Sequence, residues 1–146
     1  MAKFHPYLNF NGNTEEAFNF YKSVFGGEFE MIIRFKDIPA GGEGEKAISE
    51  ADEDKIMHIA LPIGDGKMLM ATDALESMGQ KLTVGNNSYI YLDTDSKEEA
   101  DKLFKGLSAG GKVEMPLAET FWADLFGSFT DKFGVQWMVN YDESHK

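Results

Sequence analysis

The chain has no cysteine. That excludes disulfides, thiolate metal sites and cysteine nucleophiles. Positive charge is scarce: 14 Lys and Arg stand against 25 Asp and Glu, a formal net charge of −11. A surface this negative repels phosphate backbones and no basic stripe offsets it, so no nucleic-acid partner is expected. No apolar run is long enough for a membrane span, and the opening MAKFHPYLNF lacks the apolar stretch of a signal peptide. No membrane partner is expected either, and the protein is read as cytoplasmic. What is plentiful is aromatic surface, with 12 Phe in 146 residues. Such rings fill a core, line a pocket or sit at a subunit interface. The remaining composition is that of an ordinary globular chain, long enough for one compact domain or two very small halves sharing a core.

The first informative stretch is YLNFNGNTEEAFNFYKSVFGGEFEM, from Tyr7 to Met31. An aromatic strand is broken by Asn11-Gly12-Asn13. Asn13 is placed to cap a helix, with Glu16 in capping-box position. Ala17, Phe18, Tyr21 and Phe25 form one apolar face, and Gly26-Gly27 ends the helix. Then EFEMIIRF alternates Phe29, Met31, Ile33 and Phe35 with mostly polar neighbours, predicting a half-buried strand.

The stretch from Tyr89 to Met115, YIYLDTDSKEEADKLFKGLSAGGKVEM, repeats the plan. A strand leads to a cap at Asp95 or Ser96. Glu98-Glu99-Ala100 matches Glu15-Glu16-Ala17 at an offset of about 83 residues. Leu103, Phe104 and Leu107 continue the apolar face, and Gly110-Gly111 matches Gly26-Gly27. Val113-Glu114-Met115 then matches Phe29-Glu30-Met31. Each half ends in two more strands. IMHIALPIG and KMLMATD flank the hairpin turn Gly64-Asp65-Gly66. FWADLFGSF and VQWMVNY flank Thr130 to Gly134, where Asp131 is a turn former.

Each half therefore reads β-α-β-β-β, with repeat one at about 3–73 and repeat two at about 87–142 of a single domain. Ile38 to Asp54 is a glycine- and acid-rich loop expected to be mobile. Residues 74–86 form a polar connector, and His145 and Lys146 a fraying tail. A half this small buries only about 60% of its unfolded surface alone. Two halves or two chains sharing an interior solve that problem. The fold class is α+β: two βαβββ repeats forming a curved mixed sheet with outer helices. The natural site is the concave inner face.

PYLNFNGNTEEAFNFYKSVFGG, MHIALPIGDGKMLMATD and ETFWADLFGSFTDKFGVQWMVNYDE together resemble the PhnB-like branch of the glyoxalase/bleomycin-resistance/dioxygenase (vicinal oxygen chelate) superfamily. The resemblance runs from His5 to about Asp142 and overlaps sequences described as 3-demethylubiquinone 3-methyltransferase-like. It implies the two-repeat fold. Function follows less directly, because one scaffold hosts isomerases, dioxygenases, transferases and drug-binding proteins.

Enzymes of this superfamily hold a divalent metal on His, Glu or Gln side chains, two from each repeat. Carried over, the four positions fall at His5, Met70, Ser88 or Tyr89, and Met138. Only His5 is a ligand for a hard or borderline metal, and thioethers are poor ones. The resemblance thus implies no metal and no other cofactor. His58 is a candidate catalytic acid/base if its strand face is the concave one and it pairs with His5 or Asp73. Its alternative is a satisfied, semi-buried histidine. Trp122 and Trp137 are candidates to floor a pocket, or else plain core. With His5, Met70, Tyr89 and Met138 they make up the expected ligand-binding set.

The expected function is a metal-free small-molecule binder, akin to the bleomycin-resistance proteins, whose paired chains form grooves. The resemblance implies a homodimer, and an acidic groove attracts a cationic ligand. The alternative is a metal-dependent lyase, isomerase or dioxygenase with atypical ligands. A methyltransferase is not expected, since the firm Gly-x-Gly joins two antiparallel strands rather than following a parallel one.

Overall fold

A computed structural model describes residues 2–38 and 48–143. The chain divides into two compact units, Met1–Thr83 and Val84–Lys146. The division falls inside the polar connector read from the sequence.

Unit 1 runs β1 (Tyr7–Phe10), α1 (Thr14–Phe25), β2 (Met31–Arg34), β3 (Ile56–Gly64) and β4 (Lys67–Asp73). Unit 2 runs β5 (Ile90–Asp93), α2 (Lys97–Ser108), β6 (Lys112–Ala118), β7 (Leu125–Thr130) and β8 (Gln136–Tyr141). Each unit is one βαβββ repeat and forms its own four-stranded mixed sheet, in the order β1-β4-β3-β2 and β5-β8-β7-β6. The first and last strands of each repeat pair in parallel, and the other pairs are antiparallel. This is the α+β, two-repeat fold that the sequence predicts.

Each helix lies on one face of its own sheet. In α1 the residues Ala17, Phe18, Tyr21 and Val24 are buried, and Phe18 meets Phe10 edge-on. In α2 Ala100, Leu103, Phe104 and Leu107 are buried, and Phe104 meets Phe129 at 5.1 Å between ring centroids. Gly127 lets α2 approach the sheet: a Cβ there would stand 2.6 Å from Phe104. The Asp65-Gly66 turn between β3 and β4 has positive φ at both residues, the signature of a type I′ hairpin.

The helix starts are built differently from expectation in one half. Asn13 makes no side-chain cap. The cap comes instead from Asp73, 59 residues away, whose carboxylate accepts from Thr14 N at 3.0 Å and Thr14 Oγ1 at 2.6 Å. Ile56 N donates to its other oxygen at 2.8 Å. A charged acceptor from a neighbouring strand outcompetes the local amide at the positive helix end. In unit 2, Ser96 caps α2 by accepting from Glu99 N, as one of the two sequence options has it.

Two strand assignments also change. The β2 segment is short and its Met31 and Ile32 are both exposed, because it is a sheet edge with a register shift at Ile33/Arg34. The FWADLFGSF strand begins only at Leu125. Phe121 and Trp122 precede it in a turn held by Ala123 N donating to Thr120 Oγ1. A short 3-10 turn at Phe35–Asp37 replaces the predicted strand at Phe35; the predicted loop carries another at Glu50–Asp52, and its 39–47 segment lies outside the described residues, as does the 144–146 tail. Asp131 is the turn former expected: buried, it accepts from Phe133 N, Val135 N and the Trp137 indole N–H.

Candidate functional site

Side chains opposite one another in a sheet share a face, and neighbours along a strand alternate. Register therefore sorts each sheet into a helix-covered and a helix-free face. In unit 1, Leu8, Ala71 and Ile59 lie in one row on the α1 side. Tyr7, Met70, Ala60 and Met31 form the next row, on the helix-free side. In unit 2, Ile90, Trp137, Phe129 and Val113 lie on the α2 side, and Tyr91, Met138, Ser128 and Met115 on the helix-free side. The two helix-free rows match residue type for residue type: tyrosine, methionine, a small residue, methionine. These faces, each taken within its own unit, are the candidate sites.

His58 stands on the helix-free face of unit 1, paired with Ile33. It meets neither partner expected for it. Asp73 is on the opposite face, committed to Thr14 and Ile56. His5 Nδ1 accepts from Met68 N at 3.0 Å, which ties the start of the chain to β4. The neighbour His58 does have is the Tyr7 ring, tilted at 5.8 Å between centroids. Tyr7 is 47% exposed and Met70 half-buried, so this face offers a tyrosine, an imidazole and thioethers in one accessible patch.

In unit 2 the sequence candidates separate. Met138 is on the helix-free face with Tyr91. Trp137, the next residue back, points the other way, has no exposed surface and gives its indole N–H to Asp131. It is core under α2, not the floor of a site, because strand alternation admits only one of the two to the open face. Trp122 sits in the turn before β7, 46% exposed, stacked edge-on with Phe121 and Phe126. The Tyr89 hydroxyl donates to the Glu114 carboxylate at 3.1 and 3.2 Å; desolvation and then that acidic neighbour raise its pKa above the usual phenol value.

Do these residues suit the metal that the fold implies? Of the four positions, Met70 and Met138 present thioethers and the Tyr89 hydroxyl is held by Glu114. His5 has Nδ1 engaged. Among the described residues no three His, Asp or Glu side chains cluster as a metal site would need. The donor set does not fit a hard or borderline divalent ion.

Tyr7, Tyr91, Asp93 and Asn140 also lie on these helix-free faces, and the sequence reading does not single them out. The signal was present for the tyrosines: Tyr7-Leu8 and Tyr91-Leu92 repeat at an offset of about 84 residues, as do Met31 and Met115. For Asp93 and Asn140 nothing local marks them.

The family model described as 3-demethylubiquinone-9 3-methyltransferase matches residues 2–140. Protein YjdN of Escherichia coli (strain K12) is 37% identical, with 92% of each chain covered. Protein PA1353 from Pseudomonas aeruginosa, a crystal structure, is 42% identical at a TM-score of 0.81, covering 97% of this chain and 98% of its own. A putative 3-demethylubiquinone-9 3-methyltransferase, PhnB protein, from Bacillus cereus is 28% identical at a TM-score of 0.72, covering 96% and 99%. A glyoxalase/bleomycin resistance protein/dioxygenase family enzyme from Burkholderia phytofirmans PsJN, 20% identical at a TM-score of 0.58 over 92% and 95%, shares the fold.

Proposed function

The chain belongs to the 3-demethylubiquinone-9 3-methyltransferase family, and on that premise we propose that it is a metal-independent small-molecule-binding protein. The observation that supports this reading is the pair of matched helix-free rows, Tyr7-Met70-Ala60-Met31 and Tyr91-Met138-Ser128-Met115. Thioethers stand where the fold's metal chemistry would need imidazole or carboxylate. Methionine and tyrosine together make an adaptable apolar surface with a polar tip, suited to a partly planar ligand. In unit 1, His58 and Tyr7 would take the polar end of such a ligand, with His5 bracing β4.

The family's description suggests methyl transfer. The Gly64-Asp65-Gly66 segment spans the end of β3, the start of a tight turn to antiparallel β4, and not the phosphate- or donor-cradling loop between a parallel strand and a helix. The same proposal includes a homodimer and a cytoplasmic location. No helix among the described residues is long and apolar enough to cross a membrane.

The test is elemental analysis with native mass spectrometry on protein purified without chelators. The expected result is substoichiometric metal, a mass of two chains and a retained small molecule or its exchange site. Stoichiometric zinc, manganese or iron would overturn the reading in favour of a metal-dependent lyase, isomerase or dioxygenase. Saturable binding of S-adenosylmethionine by calorimetry would restore the methyltransferase.

A further inference from the structure

Asn140 lies on the helix-free face of unit 2, in register with Asp93, and is only 6% exposed. Its Nδ2 donates to Asp93 Oδ1 at 3.1 Å. That bond fixes the amide, since the reverse orientation would press two acceptors together. Asn140 Oδ1 is then buried with no hydrogen-bond partner, and it is the one such side-chain atom among the described residues. A buried acceptor left unmet is costly and calls for an explanation. Among the described residues unit 1 has no counterpart. The matched position there is Thr72, whose hydroxyl donates to its own sheet's carbonyl oxygens at 3.4 Å.

What surrounds this oxygen is negative and aromatic. The Asp93 carboxylate is exposed. Tyr91, two residues earlier on the same face, is 54% exposed. Burial, then the charges of Asp93 and Asp142, raises the pKa of the Tyr91 phenol, which marks the sign of the field over this end of the sheet.

We infer that the Asn140–Asp93 pair is a subsite for the protonated amino or amidinium group of an organic cation. The inference rests on the small-molecule reading above and names the class of ligand. One N–H of the cation donates to Asn140 Oδ1 and another to the Asp93 carboxylate, whose charge it neutralises. The Tyr91 ring offers its face to the same charge. An amide rather than a second carboxylate at 140 avoids two like charges side by side. Anions and pure acceptors are excluded. Because the oxygen is closed to solvent, seating the cation includes a rotamer change on this face. Unbranched Met138 and half-exposed Tyr91 are the side chains able to make it.

The test is a titration of the full, ¹⁵N-labelled chain with benzylamine, benzyl alcohol and benzoate near neutral pH, read at the Asn140 side-chain amide and at the Tyr91 and Asp93 backbone amides. Benzylamine is expected to shift all three saturably, benzyl alcohol at least about tenfold more weakly and benzoate not at all. Asp93→Asn should weaken benzylamine by about tenfold or more. Asn140→Leu should abolish the response at the Tyr91 and Asp93 backbone amides and raise the melting temperature, since it removes an unmet acceptor. If Asn140→Leu does not fold, Asp93→Asn, a change on an exposed side chain, decides alone. Absence of a saturable shift at Asn140, a response unchanged by Asp93→Asn, or equal binding of benzoate would overturn the inference. Preferred binding of a neutral or anionic probe at this face would do so while leaving the small-molecule reading standing, whereas stoichiometric metal would remove that reading itself.

Discussion

The two units are one plan executed with different polar chemistry. Their sheets have the same order and the same mixed pairing, and their helices have equal length. Unit 1 anchors its helix start from afar: Asp73 holds Thr14 and Ile56 together across three elements. Unit 2 anchors its helix locally through Ser96, and spends its buried carboxylate, Asp131, on a turn and on the core indole of Trp137. Unit 1 leaves a tyrosine–imidazole contact on its helix-free face. Unit 2 leaves an orphan amide oxygen beside a carboxylate. Duplicated backbones need only the apolar rows in common, because those rows carry the burial. The polar positions are then free to diverge.

Asp73→Ala should separate the two units most strongly. It strands three donors, two of them backbone N–H groups, for a cost of about 4 kcal/mol. Urea unfolding should show the loss, and amide hydrogen exchange should place it in α1 and the start of β3. Equal loss of protection in α2 and β8 would show that the units do not differ in how their helices are held.

Asp131→Ala comes next, at about 3 kcal/mol, since it releases the Trp137 indole and two turn N–H groups. Increased exposure of Trp137 should appear as a red shift in its fluorescence, with α1 protection unchanged. Ser96→Ala removes a single local cap and should cost about 1 kcal/mol, seen as fraying of the first turn of α2 alone.

The smallest effect is confined to acid. Asp52 is held down to about 2, first by the Lys55 ammonium and then by the Ser77 and Ser49 hydroxyls. A carboxyl depressed on folding stabilises the fold fully above its ordinary value of about 4 and loses that contribution as pH falls through its folded value. Between about pH 4 and pH 2 the unfolding midpoint of the parent should therefore drop more steeply than that of Asp52→Asn. Parallel curves would show that this cluster, which has no match among the described residues of unit 2, contributes nothing to the difference between the units.

Much of the scaffold was legible in the chain. The Glu-Glu-Ala and Gly-Gly matches locate both helices, and IMHIALPIG and KMLMATD coincide with β3 and β4. Edge strands read poorly, since β2 and β6 are exposed and lack the alternation that a buried face imposes. The candidate site was legible in part. Met70 and Met138 are among the expected residues, and both lie on helix-free faces. Trp137 was grouped with them although it is the neighbour of Met138 on the opposite face. Tyr7 and Tyr91 were within reach of a stricter alignment of the repeat.

The chain alone locates the repeat and both helices, and it puts thioethers at positions 70 and 138. These are local properties: periodicity, glycine placement and side-chain identity. Only the tertiary structure decided which acceptor caps α1, which side of each sheet is free of its helix, and that Asn140 Oδ1 is left unmet beside Asp93. Each of those depends on register between strands brought together from distant parts of the chain. A one-residue slip in that register would turn every such side chain to the other face.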